Sequence, residues 1–268
     1  MSVDKKAIVT PNSWASLRRY TDARIGLGRS GVSQPTEPQL EFQQAHARAR
    51  DAVHIPLDID QLEQQLSEQG LESLRLHSQA TDRAVYLQRP DKGRRLDAQS
   101  GALLKQIHER HGEKDATIVI ADGLSSTAVQ RHAAVVAAAI DRELDAEGLS
   151  RTPVCIVQQG RVAVGDEVGE LLGSRMVILL VGERPGLSSP DSLGIYYTWN
   201  PRVGLTDAYR NCISNIRTAG ISAEDATGRL MWLVRESRKR RLSGVALKDE
   251  SGEADALEGT GRGNFLLD

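Results

Sequence analysis

One stretch limits what this chain can fold into more than any other. Met176 to Gly182 reads MVILLVG, apolar at nearly every position. An extended segment that is apolar on both faces must be covered on both faces, so it is predicted to be a central strand. The run stops at Gly182-Glu183-Arg184-Pro185-Gly186, where an acid, a base and backbone punctuators follow at the strand's carboxyl end. Open α/β sheets bind ligands beyond the carboxyl ends of their strands. The working surface is therefore expected around Glu183. A carboxylate leaving a buried strand has to be hydrogen-bonded, paired or turned into a cleft. Arg184 and Arg161 offer purely structural pairing, and ligand contact is the alternative.

The flanking sequence repeats strand and helix. Thr117–Ala121 reads as a strand, Asp122–Ser126 as a tight loop, Thr127–Glu147 as an alanine-rich helix, Pro153–Gln158 as a strand, and Gly165–Leu172 as a helix before the central run. Leu193–Thr198 is expected to add a strand and Ala223–Arg241 a closing helix. That alternation predicts an α/β fold, a Rossmann-like doubly wound parallel sheet. The preceding sequence reads as a mainly helical N-terminal lobe. Its helices are expected near Asn12–Thr21, Thr36–Val53, Asp58–Gln69 and Asp97–Arg110, with two short strands in LESLRLHS and AVYLQ before the basic turn at Arg89–Leu96. The expected division is a mobile end over 1–11, the helical lobe over 12–110, the α/β domain over 111–244, and an acidic, Gly-rich tail without a packing period over 245–268.

Composition removes several function classes. The 34 basic and 36 acidic residues leave a net charge of −2, which lacks the surplus cation that nucleic-acid binding needs. Cys155 and Cys212 stand alone, without metal-ligand or disulfide-framework spacing, as in a reducing compartment. No apolar run approaches the length of a bilayer, so a soluble intracellular protein is expected. GxSxG, HExxH and P-loop patterns are missing from the sequence. The segment Gly26-Leu27-Gly28-Arg29-Ser30-Gly31 is a literal GxGxxG, but the dinucleotide reading needs a strand before it and a helix directly after. Here a charged helix precedes it and Pro35 and Pro38 follow. The Asp122–Ser126 loop opens a helix, so it suits either a phosphate or amide site or an ordinary turn and cap. His108 and His111 share a helix face and read as solvent-facing. The run Arg235 to Arg241 closes a helix, where cations favour the terminal carbonyls. A docking patch for an acidic partner is the other reading of that run.

Several segments taken together resemble one family. They are Arg24-Ile25-x-x-Gly28-Arg29-x-Gly31, Tyr86-Leu87-x-Arg89-Pro90-Asp91-x-Gly93-Arg94-Arg95-Leu96, the Asp122-Gly123-Leu124-Ser125 loop, VILLVGERPGL, and Cys212-Ile213-Ser214-Asn215-Ile216. In this order they resemble the small subunit of ethanolamine ammonia-lyase, over roughly Trp14 to Gly244. The resemblance implies a radical enzyme using adenosylcobalamin to convert ethanolamine to acetaldehyde and ammonia. It implies a large-subunit partner that holds the substrate, and a small subunit inactive alone that closes over the cofactor. By that likeness Val162, Glu183 and Cys212 match the cofactor-binding positions, with no catalytic or metal-ligating residue on this chain. No histidine sits in Asp-x-His-x-x-Gly, so the cobalamin is expected to stay base-on. The family also implies a location in the cytoplasm, free or inside a bacterial microcompartment. The reading from a different class is a nucleotide-binding regulatory or scaffold α/β module.

Overall fold

Alternate side chains of the central apolar run go to opposite faces, and this division organises the molecule. The computed structural model describes residues 8–248. In it β4 (Ser174–Gly182) sends Met176, Ile178 and Leu180 into one hydrophobic core and Val177, Leu179 and Val181 into another. The first core is closed by α2 (Ile59–Glu68), α5 (Ser126–Ala146) and α7 (Ala223–Arg240), the second by α4 (Ala98–His111) and α6 (Val164–Leu172). Burial on both faces is what the unbroken apolar pattern requires.

The sheet has six strands, in the order β1-β3-β2-β4-β5-β6. β1 (Ser73–His77), β2 (Lys114–Ala121) and β3 (Val154–Gln158) run parallel with β4. β5 (Leu193–Trp199) is antiparallel to β4, and β6 (Arg210–Ile216) is antiparallel to β5. The sheet is therefore mixed α/β and mostly parallel, where a wholly parallel one was expected. The β4–β5 connector, residues 183–192, holds no helix and is shorter than the dozen or so residues a parallel crossover needs. An antiparallel return is the arrangement left open.

Local signals explain most element ends. Asp58, Asp97 and Ser125 cap α2, α4 and α5 by accepting from Gln61, Ser100 and Ala128 backbone N–H groups. The small residues of α5, among them Ala133 and Ala137, are fully buried and let it lie close on the sheet. The longest N-terminal helix is α1 (Thr36–His54).

Three elements differ from expectation. AVYLQ forms a helix, α3 (Arg83–Gln88), because the Asp82 carboxylate accepts from Val85 N at 2.9 Å and nucleates a turn. CISNI forms β6, a strand the polar alternation concealed. Ser13–Tyr20 is a 3-10 helix that lies against Gly26 but has no buried residue, so its amphipathic spacing does not put a face into the core. The glycines of GLGRSG supply left-handed backbone, and a Cβ at Gly28 would lie 2.8 Å from Thr10 O. They serve the fold-back that pairs Thr10 with Arg29, and among the described residues no strand precedes them. The tail from 249 onward lies outside the described residues. Among the described residues no helix is long and apolar enough to cross a membrane.

Candidate functional site

The carboxyl ends of β3 and β4 form one rim. After β3 the chain passes Gln159, Gly160 and Arg161, and two bonds fix its path: Gly160 N donates to Asp122 Oδ1 at 3.0 Å and Arg161 N to Gly93 O at 2.7 Å. Val162, half-buried, follows at the start of the turn into α6. A hollow of about 400 Å³ is bordered by Tyr86, Arg161, Val162, Glu183 and Tyr196. A second of about 680 Å³ shares Arg161, Val162 and Tyr196 and extends past Arg94 and Asp166 to Arg210. The two adjoin as one groove along the rim.

Glu183 is held by protein donors on both carboxylate oxygens. Ser192 Oγ donates to Oε2, Ser214 Oγ to Oε1 at 2.5 Å, and Asn215 N to Oε2 at 3.2 Å. Neither Arg184 nor Arg161 is among its partners within the described residues, and Arg161 bonds Tyr86 O instead. The purely ionic alternative is thus replaced by a hydroxyl and amide clamp that ties the end of β4 to β6. Gly194 on β5 makes room for it. A Cβ there would lie 2.9 Å from Glu183 Oε1, so the carboxylate occupies the space a side chain would take.

Cys212 lies on β6 opposite Tyr196 of β5, and neither hollow includes it directly. It is exposed and unpaired with Cys155. Shielding by its surroundings, first of all, and the nearby Glu183 carboxylate push the thiol up, while the Tyr196 hydroxyl pulls the other way. The sulfur is a neutral thiol at physiological pH. Val162 and Glu183 border the same hollow, and Cys212 stands one strand beyond, next to its wall.

The groove also holds a residue that sequence patterning missed. Tyr86, 1% exposed, lies between two guanidinium groups, with Arg83 at 4.5 Å and Arg161 at 4.3 Å from its ring centroid. Arg161 further donates to Tyr86 O at 2.8 Å. Burial pushes the phenol up to about 12, so it stays neutral between the cations. Reading AVYLQ as a strand hid this arrangement; the Asp82 cap three residues before Val85 was the available signal.

The Asp122–Ser126 loop is spoken for internally. Ser125 caps α5 and donates to Pro190 O at 2.8 Å, and Leu124 N donates to Gly182 O at 2.8 Å. Turn and cap bonds therefore occupy both Ser125 Oγ and Leu124 N, while Gly123 and Leu124 border the smaller hollow. Asp122 is buried; desolvation pushes its carboxyl up to about 6, against the pull of Arg83 and backbone N–H groups. Its folded value exceeds the unfolded one, so protonation favours the fold. That contribution is complete below the unfolded carboxylate value and is lost as pH rises through about 6. Asp122→Asn keeps an acceptor for Gly160 N and removes the titration. Relative to the variant, the parent is expected to lose on the order of 2 kcal/mol between pH 4 and pH 7. Urea unfolding of both proteins at the two pH values measures it, and a pH-independent gap would contradict it.

Among the described residues no group of three or more His, Cys, Asp or Glu side chains is placed to hold a metal. His108 instead places Nδ1 3.0 Å from Leu172 O. The groove thus offers an apolar edge, fixed cations and a clamped carboxylate, with the Cys212 thiol outside it beside the wall and no nucleophile and base in partnership among the described residues. Its chemistry is that of holding a ligand.

Residues 11–248 match the family model described as Ethanolamine ammonia-lyase light chain (EutC). The chain belongs to the ethanolamine ammonia-lyase light-chain family. It is 58% identical over 266 residues to the ethanolamine ammonia-lyase small subunit of Ralstonia nicotianae, covering 99% of this chain and 98% of that one. The small subunit of Pseudomonas fluorescens strain Pf0-1 is 55% identical over 271 residues, with the same 99% and 98% coverage. That of Pseudomonas aeruginosa strain UCBPP-PA14 is 58% identical over 259 residues, covering 96% and 94%.

Proposed function

We propose that this chain forms the small-subunit side of an adenosylcobalamin pocket in ethanolamine ammonia-lyase, with Val162, Glu183 and Cys212 as its cofactor contacts. The Rossmann-like part of the sheet, β1 to β4, supplies the rim. The observation that carries the reading is the single groove joining the ends of β3 and β4, beside the face of β5 and β6 that carries Tyr196 and Cys212. A groove open on one side suits a ligand covered from the other side by a larger subunit.

The residues present fit the cofactor. A corrinoid has a broad apolar ring edged with amides. Val162 presents hydrocarbon to the ring, and Arg161 presents donors; its Nε is buried without a partner among the described residues. An ionised carboxylate has about four acceptor positions, and three of those on Glu183 are filled. The fourth is assigned to a cofactor N–H or hydroxyl. Bound in this enzyme, adenosylcobalamin supplies the radical chemistry that turns ethanolamine into acetaldehyde and ammonia. The chain's own part is to orient and to exclude water: the clamp on Glu183 fixes one edge of the groove, and the Tyr86 stack fixes another. A neutral Cys212 thiol packs without bringing a charge to that face. Among the residues bordering the two hollows there is no histidine to act as a lower ligand, in keeping with a base-on cofactor.

Reconstitution tests this. Mixing the chain with a large subunit and adenosylcobalamin is expected to restore ammonia release from ethanolamine above that of the large subunit alone. In the same complex, Glu183→Ala is expected to weaken cofactor retention about tenfold or more while the chain's melting temperature falls by only a few degrees. Unchanged retention with a lowered melting temperature would make Glu183 a structural clamp only.

A further inference from the structure

The opposite rim of the sheet carries a separate hollow, of about 710 Å³, that the lyase reading does not use. It lies where β2 and β4 begin, where β5 ends, and where α5 and α7 end. Arg175, Arg235, Arg238, Lys239 and Arg241 line it against only two carboxylates, Asp115 and Glu147, and Trp199 forms part of its wall. We propose that this cleft binds a polyphosphate anion, with the guanidinium groups of Arg175, Arg235 and Arg238 as the main donors.

The two carboxylates leave most of the guanidinium surface free. Arg235 uses Nε on Glu147 at 2.7 Å, Arg238 places Nη1 3.5 Å from Glu147, and Arg175 places Nη1 3.4 Å from Asp115. A guanidinium carries five N–H donors in a planar fork, so each of these has several left. Those donors remain open, since the Arg175, Arg235 and Arg238 side chains are 65%, 50% and 42% exposed. The carboxylates orient the arginines and leave the remaining forks facing one hollow.

Cations at a helix end can be there merely to complement the terminal carbonyls, and α5 and α7 both end at this cleft. That role accounts for part of the charge. Each helix end is equivalent to about half a negative charge, so the two together offset about one cation. Glu236 pairs with Lys239 at 2.7 Å, so four cations face the two lining carboxylates, and about one positive charge remains after the helix ends are counted. Arg175 lies on a strand, where no helix end calls for it. A single phosphate can engage one or two of these forks, whereas a chain of phosphates spans groups contributed by β4 and α7. Bidentate arginine contacts favour phosphate oxygens over a bare halide.

The ligand's phosphates come either from an inorganic chain or from a nucleotide whose base rests on Trp199. The full chain is titrated at low salt with tripolyphosphate, ATP and orthophosphate, following tryptophan fluorescence and calorimetric heat. Saturable one-site binding of tripolyphosphate, at least tenfold tighter than orthophosphate, is expected. Arg235→Gln with Arg238→Gln is expected to weaken it tenfold or more. Arg18→Gln with Arg19→Gln removes equal charge outside the cleft and is expected to change it less than twofold. ATP binding at least tenfold tighter than tripolyphosphate, lost in Trp199→Leu, identifies a nucleotide; equal affinities identify the phosphate chain alone. Folding of each variant is checked by thermal melting, and Arg238→Lys provides a milder change if the double variant melts early. Equal weakening by the two double variants, or tripolyphosphate no tighter than orthophosphate, overturns the site.

Discussion

Gly123→Ala is expected to destabilise the chain by about 3 kcal/mol or more, and to disturb the groove at the same time. Gly123 has φ +58, where an L side chain is strained by about 1 to 2 kcal/mol. The larger part comes from contact: an added Cβ would lie 2.3 Å from Gly182 O and 2.5 Å from Val181 Cγ2. Neither the backbone oxygen of a central strand nor a packed valine has room to retreat. The push falls on the residue just before Glu183, so the clamp on β6 shifts with it. Gly148→Ala is the control, because Gly148 has φ +66 in the left-handed turn that ends α5 and a Cβ added there would meet nothing within 4 Å. Urea unfolding of the two variants separates strain from contact. Equal losses would show that the close approach of the loop to β4 contributes nothing.

Much of this arrangement was legible from the chain itself, and the limits have physical causes. MVILLVG could only be a strand covered on both faces, and its abrupt end marked the rim where Glu183 sits. Caps at Asp97 and Ser125 and the small residues of α5 set their elements by local chemistry. Sheet direction was another matter. Whether β5 returns parallel or antiparallel depends on the length and content of residues 183–192, a connector with no helical period to read. Tyr86 was hidden because a short amphipathic run fits period two about as well as a single helical turn, and only Asp82 arbitrates. The Glu183 clamp was out of reach for another reason. Its donors, Ser192, Ser214 and Asn215, come from two further segments, and Gly194 matters only by the side chain it lacks. Cys212 drew its assignment from family likeness alone, since an isolated thiol on an unrecognised strand carries no pattern.

Removing Asp166 is expected to cost about 3 kcal/mol or more, because it strands a buried cation. Asp166 on α6 and Arg210 at the start of β6 pair with both side chains only 3% exposed. Arg210 also donates to Leu205 O at 3.1 Å and reaches Asp207 at 2.8 Å, but Asp207 is 97% exposed and screened by water. In Asp166→Ala those contacts remain and the desolvated guanidinium loses its main counter-charge. The pair is no argument that charge is the best filling for this site. Replacing both partners with apolar residues of similar size, Asp166→Leu with Arg210→Met, is expected to recover most of the loss, since desolvating two ions offsets much of their attraction. Urea unfolding of the single and double variants forms a mutant cycle that isolates the coupling. The pair also joins α6, which follows the Val162 turn, to the strand carrying Cys212 and Ser214. Cofactor retention in the reconstituted lyase is therefore expected to fall in the single variant and to return in the double one with stability. A double variant that regains stability but not retention would assign the Arg210 charge, at the end of the larger hollow, to the ligand itself.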